Sequence, residues 1–280
     1  MSPVFNSASL VFSQGSLQDY LECPRRFELG FLKDTPWPAP QSSPLSSYEK
    51  LTETGNQFHL MCHQFFSGID PDLIAKTAFN SDLLDLWQSF QPYALSLLGY
   101  PSFTEQILRI PFMNHFLVAK YDLIVMLPEN EFLIVDWKTS KQKPTRTSLS
   151  SRVQTILYPL IFYQSVSDLF SVDYTSPSSI KMLYRYPLSS EPEELFPYSE
   201  TKHEEAFQFI TDLIAQIEFH ILENRQFALT DDLSKCEYCK FRSFCERGYH
   251  APPIPPGTDL ESEDLSSTYF DIDMIIEIEF

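Results

Sequence analysis

Two groups of residues in this sequence have the types and spacing to do chemistry. The first is Asp136 and Lys138 in FLIVDWKT, residues 132–139, where four apolar residues lead into a carboxylate and an amine with one residue between them. Side chains alternate along a strand, so the pair projects from one face, about 6 to 7 Å apart along the chain. At the end of a buried strand these two groups are costly to desolvate unless something pairs or uses them. Taken alone they read as an ion pair at a strand end, because D-x-K is short and common. The second group is CEYCKFRSFC, which holds Cys236, Cys239 and Cys245. Three thiols so close predict ligation of zinc or a cluster, and Cys23 is the fourth thiol best suited to complete an all-thiolate site. The fifth, Cys62, lies among apolar neighbours and reads as a buried thiol.

The elements that position these groups follow from periodicity. Phe132–Lys138 is a short apolar run between polar turn residues and predicts a buried strand. Phe116–Leu127 and Thr104–Ile110 predict two more, with PENE as the hairpin turn before FLIV. A turn centred on Glu129 and Asn130 sets Asp122 within a residue of opposite Asp136, with the two carboxylates about 4.5 to 5.5 Å apart. Like charges at that distance need a cation between them. Helices are predicted over Tyr48–Phe66, Ser81–Leu98, Ser151–Val166 and His203–Leu222, the last with Phe207, Ile210, Leu213, Ile214 and Ile217 on its apolar side. His59 and His63 fall one turn apart on the first of these; such pairs chelate metals, though more often one packs or faces solvent. Gln154 and Tyr158 share a face of the third, where Pro159 predicts a kink. Ile180–Tyr186 predicts a strand and Pro187–Ser199 an acidic loop. Near the N-terminus, Ser13 and Ser16 are helix-cap candidates, Leu17, Tyr20 and Leu21 recur at helical spacing, and Pro24 sets Cys23 between two helices. Thr35–Ser47, rich in Pro and Ser, predicts an exposed loop.

Composition narrows the function classes. The 280 residues carry a net charge of −18, which disfavours bulk attraction to nucleic acid. The charge is uneven. Gly257–Phe280 holds eight acids and no base, whereas Lys138, Lys141, Lys143, Arg146 and Arg152 stand against one acid between 136 and 152, a strip that suits a polyanion. No run is long and apolar enough for a membrane span and the first residues have no basic leader, so the expectation is a cytoplasmic protein without a membrane partner. Tyr269–Phe280 (YFDIDMIIEIEF) alternates apolar with acidic residues and reads as a strand. It would complete this chain's own sheet, dock on itself or a protein partner, or lie as an acidic mimic in a nucleic-acid groove.

Taken in order, SxxSLQDYLECPRRF, GNQFH, KYDLI, IVDWKT, QTILY and CEYCKFRSFC resemble the PD-(D/E)XK nuclease superfamily over residues 13–247. They are most similar to the RecB-type branch of AddB-like and CRISPR-associated iron-sulfur exonucleases. The resemblance implies an α/β fold, a restriction-endonuclease-like central mixed sheet flanked by helices. It makes residues 1–250 a nuclease domain whose iron-sulfur lobe comes from both chain ends (13–34 and 225–250), and 251–280 an acidic tail. It implies His59, Asp122 and Asp136 as ligands of Mg2+ or Mn2+, with Lys138, Asp136 and Asp122 catalytic. Gln154 and Tyr158 would contact DNA near the scissile phosphate, with Lys141 and Arg152 from the basic strip adding phosphate contacts. Cys23, Cys236, Cys239 and Cys245 would hold a 4Fe-4S cluster. Glu105 matches an acid often seen on the preceding strand, a structural role being the alternative, and Ala119 replaces the family's usual Gly three residues before Asp122. The function implied is exonucleolytic cleavage of single-stranded DNA in repair, recombination or CRISPR adaptation, the alternative being a non-catalytic DNA-binding or assembly subunit that keeps the fold.

Overall fold

The computed structural model describes residues 9–35, 43–173, 175–223, 225–237 and 239–248, without the side chains of 43–51. FLIVDW is buried on both faces as β4 (Glu131–Trp137), because Phe132 and Ile134 enter one hydrophobic cluster while Leu133, Val135 and Trp137 enter a second. β4 follows β3 (His115–Leu127) through a tight turn at Pro128–Asn130 and pairs with it antiparallel. On its other side it pairs in parallel with β5 (Ile180–Arg185). β2 (Ser102–Phe112) runs antiparallel along β3, β6 (Glu193–Pro197) closes the far edge against β5, and β1 (Val11–Ser13) joins β3 in parallel. The result is a six-stranded mixed sheet.

A sheet apolar on both faces needs helices on both. One cluster holds residues of α1 (Gln14–Glu22), α2 (Pro24–Phe27), α6 (Arg146–Ser150), α7 (Val153–Phe170) and α8 (Glu200–Leu222). The opposite cluster holds α3 (Ser43–Phe66), α4 (Pro71–Ala75) and α5 (Ser81–Leu97). Ser13 caps α1 in a reciprocal box with Ser16, and Cys23 stands where α1 ends and α2 begins. The chain ends are zipped together. Arg25 N–H donates to the Ala228 carbonyl at 3.0 Å, and Phe227 N–H donates to the Glu28 carboxylate at 3.0 Å. Burial works against the charge on Glu28, yet hydrogen bonds from Lys33, Phe227 and Arg25 hold its carboxyl below the usual range.

Several boundaries differ from the sequence reading. α3 begins at Ser43, inside the stretch expected to be loop. The loop expected at Pro187–Ser199 contains β6, and β1 had no counterpart. Ser151 closes α6 rather than opening α7, which then runs through Pro159 to Phe170. Phe207, assigned to the apolar side of α8, is 45% exposed. The strand expected at 269–280 lies outside the described residues. Among the described residues no helix is long and apolar enough to cross a membrane.

Candidate active site

The ladder between β3 and β4 ends at Leu123 and Val135, so continuing its register by one residue sets Asp122 opposite Asp136, as the turn length predicts. The strands splay there, and the Asp122 side chain fills the gap: its Oδ2 accepts the Trp137 N–H at 2.8 Å. Its Oδ1 lies 3.2 Å from His59 Nδ1 on α3. Thr104 Oγ1 donates to the Asp122 carbonyl at 3.0 Å, leaving the hydroxyl oxygen to accept from His63 Nδ1 at 3.3 Å. His63 is thus a support for the strand backbone.

A break in sheet alternation brings a third group into place. Along β3, Leu117, Ala119 and Tyr121 join the cluster under α7, but after Asp122 it is Ile124 that does so while Leu123 and Val125 turn to the other. The β2–β3 register is unchanged across this point: Thr104 pairs with Leu123 and Gln106 with Tyr121, while Glu105 between them, opposite Asp122, drops out of the ladder with φ at 54°. A left-handed backbone away from glycine costs on the order of 1 kcal/mol or more and persists only when its surroundings hold it. Here it accompanies a ligand cluster: one ligand atom each from His59, Glu105 and Asp122 lies within 4.8 Å of the others. Six-coordinate ions with bonds near 2.1 Å hold neighbouring ligands about 3 Å apart and opposite ones about 4.2 Å apart, a spacing that the three groups approach.

Asp136 does something else. Lys138 Nζ lies 2.9 Å from its Oδ2, and Gln154 Nε2 donates to its Oδ1. All three are buried, with Asp136 5%, Lys138 2% and Gln154 2% exposed. Of the expected metal set His59, Asp122 and Asp136, the first two share one cluster and Asp136 stands beside it. Glu105 closes the cluster, and Asp136 is held by the lysine and the glutamine. The Tyr158 hydroxyl in turn bonds Gln154, and burial, with the nearby Asp136 and Asp122 charges, pushes the phenol well above its ordinary range. Tyr184 is shifted the same way by burial and by Asp136, with Lys138 Nζ 5.8 Å from its ring centroid.

A profile of the PD-(D/E)XK nuclease superfamily matches residues 11–110 and 88–246. The chain belongs to that superfamily. Among curated proteins it is 25% identical over 211 residues to the mitochondrial exonuclease V of two Candida albicans strains, WO-1 and SC5314. The match covers 72% of this chain but only 29% and 28% of theirs. A solved protein from Eubacterium rectale, provisionally assigned as an exonuclease, shares the fold with a TM-score of 0.50 at 10% identity, covering 89% of this chain and 92% of that one.

Within this nuclease fold the residues expected to touch DNA are placed unevenly. Tyr158 is 3% exposed, its ring packs 4.9 Å from that of Tyr121, and its hydroxyl bonds Gln154. Lys141 meets Asp82 at 3.4 Å with both side chains 66% exposed, a contact that dissociates readily. Arg152 is half-buried at the start of α7, and its charge reaches Tyr184. Lys143 and Arg146 do not form an open strip: both bind Glu194 of β6, Lys143 at 2.9 Å. Despite partial burial, these bonds hold the Glu194 carboxyl below the ordinary range.

The four cysteines named as a set approach one another. Cys239 stands near enough to Cys23 and Cys245, and Cys245 to Cys23 and Cys236, for a thiolate on one to disfavour a thiolate on the next, although Cys23 precedes α2 and the others follow α8. Burial pushes the Cys239 thiol up to about 11 and raises Cys245 as well, so in the absence of a cation these groups are protonated. Cys62 is 2% exposed in the core beneath α3 and α5, as its neighbours predicted.

Proposed function

We propose that the protein is a divalent-metal-dependent deoxyribonuclease, an exonuclease acting on single-stranded DNA. The observation that carries this reading is the meeting of the His59–Glu105–Asp122 cluster with the Asp136–Lys138 pair where β3 and β4 splay. The imidazole and carboxylates fit Mg2+, and the imidazole favours Mn2+. A divalent ion there would neutralise phosphodiester charge and acidify water for attack.

The chain's own groups do the rest. Trp137 N–H fixes Asp122, and the Tyr158–Gln154–Asp136 sequence of hydrogen bonds holds the carboxylate that orients Lys138. Lys138 is thereby pre-aimed to donate to a phosphate oxygen as negative charge develops, at no reorganisation cost during the reaction. The recess favours a flexible single strand over a rigid duplex, since Asp136 and Lys138 are 5% and 2% exposed. Exonuclease action is supported by the relatives' names.

The four cysteines offer a donor set that suits an iron-sulfur cluster or zinc, and we assign them the 4Fe-4S cluster. A bound group would staple the N-terminal helices to the segment after α8 and add to folding stability. The test is cleavage of labelled single- and double-stranded DNA with Mn2+ and Mg2+, beside Asp136→Ala and Lys138→Ala. Metal-dependent loss of single strands by wild type alone is expected. Equal inactivity of all three proteins across metals and substrates would favour a non-catalytic DNA-binding subunit.

A further inference from the structure

We propose that Lys120 is a placeholder for the metal ion: its ammonium neutralises Glu105 in the metal-free protein and releases it when a divalent ion binds. Lys120 then sets how tightly the ion is held. This rests on the metal-site reading above and goes beyond it by assigning a competitor for the ion within the chain itself.

Lys120 Nζ forms an ion pair with Glu105 Oε2. Lys120 is registered with Ile107 on β2, two positions beyond Glu105, so the pair spans the β2–β3 ladder diagonally. Glu105 stands in a left-handed backbone that aims its carboxylate at Asp122, and ligand oxygens of the two acids lie within 4.8 Å. Two carboxylates held that close repel unless a cation sits with them. His59, the third member, brings a charge only when protonated, and the cation that pairs with Glu105 in the structure is the Lys120 ammonium. The two active-site lysines also differ in freedom. The Lys138 side chain is 3% exposed and fixed on Asp136, but that of Lys120 is 39% exposed, so its ammonium can move into water once Glu105 is taken.

Two cations then compete for one carboxylate. A unit charge about 6 Å from a divalent ion, at the dielectric constant of water, weakens binding roughly tenfold. Removing the Lys120 charge should therefore destabilise the metal-free protein, where Glu105 and Asp122 are left facing each other. It should also tighten metal binding, so that the variants converge at saturating metal.

The experiment is thermal unfolding of the full chain across a Mn2+ titration, with Mn2+ half-saturation read by electron paramagnetic resonance. Wild type, Lys120→Gln, Lys120→Arg, Glu105→Gln and Glu105→Gln/Lys120→Gln are compared. Lys120→Gln is expected to melt lower without metal, to show a larger Mn2+-induced rise and to bind Mn2+ about tenfold more tightly. Lys120→Arg, which keeps the charge and guards against a simple folding defect, is expected to follow wild type. In the Glu105→Gln background the Lys120 substitution is expected to change neither quantity. Equal or weaker Mn2+ binding by Lys120→Gln overturns the placeholder role. Absence of Mn2+ binding in wild type overturns the metal site itself, which is a separate failure.

Discussion

The buried Asp136–Lys138 pair gives the prediction whose size is best defined by the geometry. Nζ and Oδ2 are 2.9 Å apart, and the side chains are 3% and 7% exposed. An exposed pair is worth about 0 to 1 kcal/mol, but removing one partner of a buried pair strands the other's charge and costs about 3 to 5 kcal/mol. Asp136→Asn should carry that cost although its amide keeps the shape of the site, because the buried Lys138 ammonium then loses the carboxylate 2.9 Å away. Lys138→Met should pay a similar cost by stranding Asp136, which keeps only the Gln154 amide among the partners described above. The double variant removes both charges and should recover to within about 2 kcal/mol of wild type, a strong departure from additivity. Urea unfolding of the four metal-free proteins measures the cycle, and DNA cleavage by the same proteins should be lost in all three variants. Additive single effects, each below about 1 kcal/mol, would refute the reasoning, because they would mean the pair is solvated.

Three further outcomes follow from named contacts. Tyr158→Phe removes the hydroxyl that bonds Gln154; it should cost about 0.5 to 1.5 kcal/mol of stability but lower kcat, with KM for DNA little changed, which steady-state kinetics checks. Glu194→Gln removes the carboxylate that Lys143 and Arg146 share, leaving Lys143 with Glu191 and the Glu193 carbonyl and Arg146 with the Leu195 carbonyl, so DNA binding to metal-free protein should tighten and its log–log salt slope should steepen by about 1, read from fluorescence anisotropy at several salt concentrations. Burial pushes the Asp19 carboxyl up to about 6, against the pull of Arg26 at 2.7 Å. A carboxyl whose folded pKa lies above its unfolded one keeps its proton longer in the folded state. Stability should therefore fall as pH rises from about 4 to 6 and level off above, by up to roughly 3 kcal/mol. Carbon-13 NMR of Asp19 and unfolding of Asp19→Asn across that window test this, the variant being expected to lose the slope.

How legible these features were depended on how local their causes are. FLIV announced β4 because a run of apolar residues has nowhere to go but between two helical layers. The spacing between Asp122 and Asp136 set their register because a short turn allows few alternatives. Ser13, Ser16, Cys23 and Pro24 marked helix ends through chemistry within a few residues. Glu105 was visible only through the family resemblance: its place in the cluster goes with a left-handed backbone that no residue type at that position signals. The pairing of Arg146 with Glu194 crosses 48 residues, so a strip of bases that looked open in sequence is largely neutralised in space. β1 is three residues and β6 five, too short to show alternation, and Pro192 and Pro197 beside β6 read as loop.

The central claim is that one divalent ion held by His59, Glu105 and Asp122 enables cleavage by the Asp136–Lys138 pair. The most direct measurement is single-turnover cleavage of end-labelled single-stranded DNA across a Mn2+ titration, for wild type, Asp122→Asn and Lys138→Met. Wild type should cleave with a saturable dependence on Mn2+. Asp122→Asn should require far more metal, and Lys138→Met should bind Mn2+ normally while cleaving slowly at every concentration. Cleavage by wild type that ignores metal, or a Lys138→Met protein as active as wild type, would contradict the account.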